Sequence, residues 1–269
     1  MASTRLGLTD TEMTCLADAG GREVDELAAE LERRPWAIHD LLAQPRTVEA
    51  VLGGDDLDDV PSPFVFFAVM TRLAADELLT ASYVNDWIGP RSRLPVFDVE
   101  PVQEFVDAPG RVLFVARLLA SMVDPTCAPV PEGGCDPWDL VDWLEAVADE
   151  DRGLVLRRIG DLALYVAGVH ADAIGHGVLS ADRAERVGHL LSMSDDEILE
   201  LHDPGSATPG LDALERVGAR SYQQARRGPA LVPPIVSDVA ERIRAARRFL
   251  THVSDGYLSP IDPDWPLVA

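Results

Sequence analysis

The run Arg157-Arg-Ile-Gly-Asp-Leu-Ala-Leu-Tyr-Val-Ala-Gly-Val-His170 sets a carboxylate and a phenol into an otherwise apolar stretch. Asp161, Tyr165 and Gly168 are spaced i, i+4, i+7, which places them on one stripe of a helix. Buried there, the two polar groups would need hydrogen-bond partners. Two chemistries are open to them: a structural hydrogen-bonded network, or an acid–base pair. Gly160 and Gly168 disfavour helix by about 1 kcal/mol each relative to alanine, a loss usually offset by close backbone approach. Tyr222, in Val217-Gly-Ala-Arg-Ser-Tyr222, adds a second phenol on a second helical segment.

Metal or haem chemistry would need histidines. None of the six follows a Glu-x-x-His pattern, the signature of di-metal helical bundles. Asp172 and His176, and Glu185 and His189, are i, i+4 acid–histidine pairs of the kind expected by chance in so acidic a chain. His170 sits about 240° around a helix from His176, so the two do not share a face. His170 is the most apolarly embedded histidine and the candidate axial ligand for a haem. Cys127 and Cys135 are too few for structural zinc without two further ligands. They read as a loop disulfide or two thiols, and Cys15 as a helix-core residue. Arg91 and Arg93 lie among Trp87, Ile88, Leu94, Val96 and Phe97. They suit the anchoring of a small anion, or the stapling of their loop to acids such as Asp86 or Asp98 or to a helix C-terminus. Gly-x-Ser-x-Gly, Walker A, Gly-x-Gly-x-x-Gly and Cys-x-x-Cys patterns are absent, and nothing marks a nucleophile. No cofactor is expected.

The elements that would position these residues read as helices. Thr9 to Arg34 opens on Thr9-Asp-Thr-Glu12 and carries Val24, Leu27, Ala28 and Leu31 at helical spacing. Trp36–Leu42 and Thr47–Leu52 follow. Phe64 to Leu79 reads as one long buried helix rather than a strand, because strong helix formers continue its apolar start without a turn signal. Tyr83 to Asp98 reads as an irregular loop, unusually rich in large apolar side chains. Helices are expected at Pro101–Val106, Arg111–Val123, Pro137–Asp149, Arg152–Ile174, Ala181–Met193, Asp195–Leu201, Leu211–Arg227 and Val236–Val253. Ser180 and Ser194 would be N-caps. Arg242, Arg244, Arg247 and Arg248, beside Asp238 and Glu241, read as a solvated ion-paired helix face. The fold class is therefore all-α, a multi-helix bundle of about ten or more helices in two halves, with little or no sheet. The halves are 1–123 and 135–258, joined by a Pro/Gly-rich linker at 124–134 and followed by an extended tail at 259–269.

Gly160-Asp161-x-x-Leu164-Tyr165-x-x-Gly168, with Val217-Gly218-x-x-Ser221-Tyr222, resembles segments of uncharacterised prokaryotic all-helical proteins over about residues 151–257. The resemblance implies an all-helical fold and carries over neither an activity nor a functional residue.

The 269-residue chain holds 23 arginines, no lysine and 46 acids, a formal net charge of −23, yet 47% of it is hydrophobic. That apolar share is enough to build a core, so charge-driven disorder is excluded. The composition is haloarchaeal in style, or the product of a GC-rich genome. The first reading implies K+ or other monovalent cations as a bulk requirement, since salt screens self-repulsion. So acidic a surface repels nucleic acid and anionic membranes. No apolar run is long enough to span a bilayer, and Met1 to Asp10 has no signal-peptide core, so a cytoplasmic protein is expected. Three functions remain in view. One is a soluble helical interaction, adaptor or regulatory protein without catalytic activity, with a protein partner or self-association. Another is a helical enzyme or sensor that binds a small anionic ligand, haem or metal between the two halves, with Arg91, Arg93, Asp161, Tyr165, His170 and Tyr222 as candidate ligand-binding residues. The third is a helical redox or metal protein using Cys127, Cys135 and histidines. An exposed apolar patch would favour the first.

Overall fold

In the computed structural model, which describes residues 7–53, 62–89, 92–123, 137–175, 177–203, 205–227 and 232–258, the fold is all-α, 74% helical. In chain order the elements are α1 (Asp10–Gly20), α2 (Val24–Arg33), α3 (Ala37–Leu42), α4 (Pro45–Leu52), α5 (Pro63–Thr80), β1 (Val84–Gly89), β2 (Ser92–Val96), α6 (Glu100–Asp107), α7 (Pro109–Val123), α8 (Pro137–Trp143), α9 (Asp149–Val169), α10 (Ala171–Ile174), α11 (Ala181–Leu190), α12 (Asp195–Leu201), α13 (Pro209–Ala225), α14 (Ile235–Glu241) and α15 (Ile243–Val253), closed by a π-helical turn, Ser254–Leu258. The contacts divide the chain into two units, Met1–Thr80 with Val106–Cys127, and Ala81–Phe105 with Ala128–Ala269. Residues 81–105 therefore group with the later part of the chain. The linker at 124–134, Cys127, Cys135 and the tail at 259–269 lie outside the described residues.

In the first unit α5 is buried around its whole N-terminal circumference. Phe64 through Met70 are each at most 7% exposed, which explains a helix without a polar face. It packs on α7, in which Val112, Phe114, Val115 and Leu119 are buried. Inside this core the Thr71 hydroxyl donates to the Phe67 carbonyl at 2.8 Å. His39 meets the Pro109 carbonyl at 3.0 Å, and burial holds its pKa below the ordinary imidazole value.

Three helical readings from sequence are interrupted. Thr9–Arg34 becomes α1 and α2, because Gly21 adopts a left-handed conformation (φ 63°, ψ 44°) that caps α1 and turns the chain. Arg152–Ile174 breaks at His170 (φ −114°, ψ 29°) into α9 and α10. Val236–Val253 breaks at Arg242 into α14 and α15. The local start signals hold: Thr9 with Glu12, and Ser194 with Glu197, form capping boxes, and Ser180 caps α11.

The second unit is built on α9, which packs against α13 and α15. Its other feature departs from the loop expected at 83–98: β1 and β2 form an antiparallel hairpin, with Val84 opposite Val96, Asp86 opposite Leu94 and Trp87 opposite Arg93. Val84 and Trp87 are buried from opposite faces of β1, while Asn85 and Ile88 are exposed, so the strand needs large apolar residues that a loop would not.

Candidate functional site

The hairpin is fixed to the helices by charge on both of its faces. Asp86 points to α15. Arg247 Nη1 lies 2.8 Å from its Oδ1, and Arg248 Nε donates to its Oδ2 at 2.8 Å. Burial alone would raise the Asp86 pKa; hydrogen bonds and charge from Arg247, then Arg248, outweigh it, and the net shift is downward. Arg247 is 4% exposed and also donates from Nε to Glu215 of α13 at 2.6 Å. The second Glu215 oxygen accepts from Arg244 at 3.1 Å. One buried guanidinium thus joins the hairpin, α13 and α15. This corrects the reading of the arginine cluster as a solvated face. Arg242 pairs with Asp238 and Glu241, at 2.6 and 3.7 Å, whereas Arg247 faces inward.

On the opposite face, Trp87 and its cross-strand neighbour Arg93 share Asp172 of α10. The indole Nε1 donates to Asp172 Oδ1 at 2.5 Å and Arg93 Nη1 to the same oxygen at 3.2 Å. Arg93 also forks onto Asp255 of the π-helical turn, with Nε and Nη2 at 2.9 and 3.2 Å. Burial would lower the Arg93 pKa, but Asp255 and Asp172 more than compensate and raise it. The Trp87 ring is 2% exposed, packed with Ala163, Val166, Ala167, Ala171, Leu211 and Leu214. Arg93 therefore staples the hairpin, although to Asp172 and Asp255 rather than to Asp86 or Asp98.

The other candidates separate into two pairs. Asp161 Oδ1 accepts from the Tyr222 hydroxyl and from Arg157 Nε, both at 2.8 Å, linking α9 to α13. Tyr222 is fully buried; burial, then the Asp161 charge, push its pKa well up, so it stays a neutral donor. Tyr165 and His170 meet at 3.3 Å, hydroxyl to Nε2, and burial lowers the His170 pKa. Tyr165 also packs against the Trp87 cluster. Arg91 and His176 lie outside the described residues, so the Asp172–His176 pair is not defined there. Among the described residues no three of His, Cys, Asp and Glu are grouped to hold a metal ion. Glu185 and His189 form an exposed pair at 3.6 Å.

Asp86, Trp87, Glu215, Arg247 and Asp255 were not singled out by sequence as site residues. The usable signal was in α15, where Arg244, Arg247 and Arg248 recur at i, i+3, i+4 on one face. Beside the ion network lies a cavity of about 320 Å³, lined by Trp87, Thr208, Leu211, Asp212, Arg244 and Arg248 among others. The carboxylates that line it are each held by a guanidinium, so their chemistry is anchoring.

Several exposed side chains of the hairpin and its open end are apolar. Tyr83, Ile88, Leu94 and Phe97 are 48%, 48%, 52% and 74% exposed. Four of the large apolar side chains left exposed thus fall within fifteen residues, whereas Trp36, Leu154, Val178 and Leu199 are scattered along the sequence. Compared with known proteins, the chain matches no family model, no curated protein and no solved structure.

Proposed function

We propose that this protein is a non-catalytic adaptor or regulatory protein, and that it docks through the exposed apolar side chains of the β1–β2 hairpin and its open end. The observation that carries this reading is the concentration of exposed apolar side chains on a hairpin held in place by ion pairs to α10, α15 and the π-helical turn. Single exposed apolar residues are ordinary, but a cluster on an anchored element is the usual mark of a protein contact. The anchoring supports the reading physically, since an element already ordered loses less entropy on binding. Photo-crosslinking tests it. A benzophenone side chain at position 97 should capture one discrete partner, or a second copy, in the native host, and the same group at Leu154 should not. Equal capture from both positions would sink the reading. The alternative, a sensor or enzyme for a small anionic ligand, draws on the 320 Å³ cavity with Arg244 at its edge. A small molecule retained near stoichiometry in native mass spectrometry, lost on Arg244→Ala, would favour it.

No helix among the described residues is long and apolar enough to cross a membrane. A cytoplasmic setting, with K+ as the bulk cation, fits the lysine-free acidic composition and the repulsion of nucleic-acid phosphate. At −23, screening should raise stability, so the melting temperature should climb as KCl rises from about 0.1 M to about 2 M. A melting curve indifferent to KCl would remove the salt requirement and leave genome bias as the origin of the acidity.

A further inference from the structure

Resting on that reading, we infer that the partner presents a basic, amphipathic segment, received at the open end of the hairpin by Tyr83, Phe97, Asp98 and Glu100. The Tyr83 and Phe97 rings lie 6.2 Å apart, tilted by 58°, and remain 48% and 74% exposed. Exposed aromatic faces take either apolar side chains or cations, because the ring quadrupole attracts positive charge. The neighbouring chain decides between these. From Leu94 to Glu104 there are three acids, Asp98, Glu100 and Glu104, and no arginine. Glu104 is held by Arg242 at 3.3 Å. Asp98 and Glu100 are exposed and make no ion pair among the described residues. An aromatic pair beside two uncommitted carboxylates complements an arginine or lysine whose neighbours are apolar.

A second copy of the chain fits this surface poorly. Each copy carries −23, and like charges would be brought together around the same acids. Strand addition is also obstructed. Strand β2 pairs only with β1 among the described residues, but Pro95 in its middle has no N–H to donate to a further strand. The surface is therefore a side-chain docking face rather than an open ladder.

The test uses the full chain at about 0.15 M KCl, or at the lowest KCl where its circular dichroism is native. Two fluorescein-labelled 18-residue amphipathic peptides serve as probes, both with leucine on one face and with either arginine or glutamate on the other. Fluorescence anisotropy should show the arginine peptide binding at least about tenfold more tightly than the glutamate peptide. The pair Tyr83→Ser and Phe97→Ser, which leaves charge unchanged, should weaken the arginine peptide by about tenfold or more. Asp98→Asn with Glu100→Gln should weaken it by about threefold or more, and Leu154→Ser should not. Arginine-peptide binding that survives the double serine change would show general acidity at work and overturn the proposal. Equal binding of both peptides would overturn the basic partner yet leave hairpin docking standing. Sedimentation showing a dimer that strengthens with KCl and is lost on Phe97→Ser would replace the partner by a second copy. Absence of peptide binding and of a dimer would overturn the proposal, and the interaction reading would fall with it only if crosslinking from position 97 also failed.

Discussion

Arg247→Met is expected to lower the free energy of unfolding by about 3–5 kcal/mol at pH 7, the range for removing one partner of a buried ion pair. Methionine keeps much of the side-chain length but leaves Asp86 and Glu215 facing a gap where the guanidinium stood. Each retains a second arginine, Arg248 and Arg244, which moderates the loss without cancelling it, because Arg244 is 62% exposed and screened. Arg244→Met should for that reason cost about 1 kcal/mol or less. The pH dependence follows from Asp86. Its folded pKa is depressed, so its contribution is complete above the unfolded value of about 3.9 and is lost as pH falls through the folded value. The difference between wild type and Arg247→Met should accordingly narrow as the pH is taken below about 4. Denaturant unfolding at pH 7 and at pH 3.5 reads both effects. A loss under 1 kcal/mol at pH 7 would mean that the network contributes no more than a surface pair. Hydrogen exchange gives the link to function: amides of 84–96 should exchange faster in Arg247→Met than those of α5, because the hairpin loses the anchor that keeps its exposed apolar side chains in place.

The same network shows where sequence reasoning reaches and where it stops. Helices were legible because their signals are local. Ser180 and Ser194 satisfy N–H groups three residues on, and the apolar spacing of Phe64 to Leu79 needs no knowledge of the partner helix. The breaks at His170 and Arg242 were not legible, since neither residue is a helix breaker by type. The hairpin was misread as a loop for a physical reason. Pro95 weakens the strand signal of β2, and the contacts that fix the hairpin span 85 residues to Asp172 and 162 residues to Arg248 and Asp255. Arg93 was legible as a residue needing an acid; which acid depended on the path of the chain. Asp161 and Tyr222 were each legible as polar groups requiring partners, and the packing of α9 on α13 makes them partners of each other. Arg247 was concealed by its neighbours. Four arginines within seven residues look solvated, and only the register of α15, with Ala246, Phe249 and Leu250 buried, turns the third of them inward.

Gly160→Leu is the second substitution with a large expected effect, and it tests the joint between α9 and α13 where that joint is tightest. A Cβ at Gly160 would stand 2.5 Å from two carbons of the Tyr222 ring, and the ring is 0% exposed, with no free end to swing aside. Overpacking of this kind costs about 1–3 kcal/mol. Here it also drives the phenol off Asp161, leaving a buried carboxylate with Arg157 alone, for about 1–3 kcal/mol more. A total near 4 kcal/mol is expected, read as a fall in the denaturation midpoint. Gly168→Leu should behave similarly, since its Cβ would meet Leu250 at 2.7 Å while its carbonyl accepts from Thr251 at 3.1 Å. Gly218→Ala supplies the contrast on the facing helix. Its Cβ would find Ala163 at 3.3 Å, a tight but adjustable contact, and alanine adds about 1 kcal/mol of helix propensity. That variant should stay within about 1 kcal/mol of wild type in either direction. Equal losses at Gly160 and Gly218 would show that glycine at these positions serves helix geometry in general, and not the seating of Tyr222 against α9.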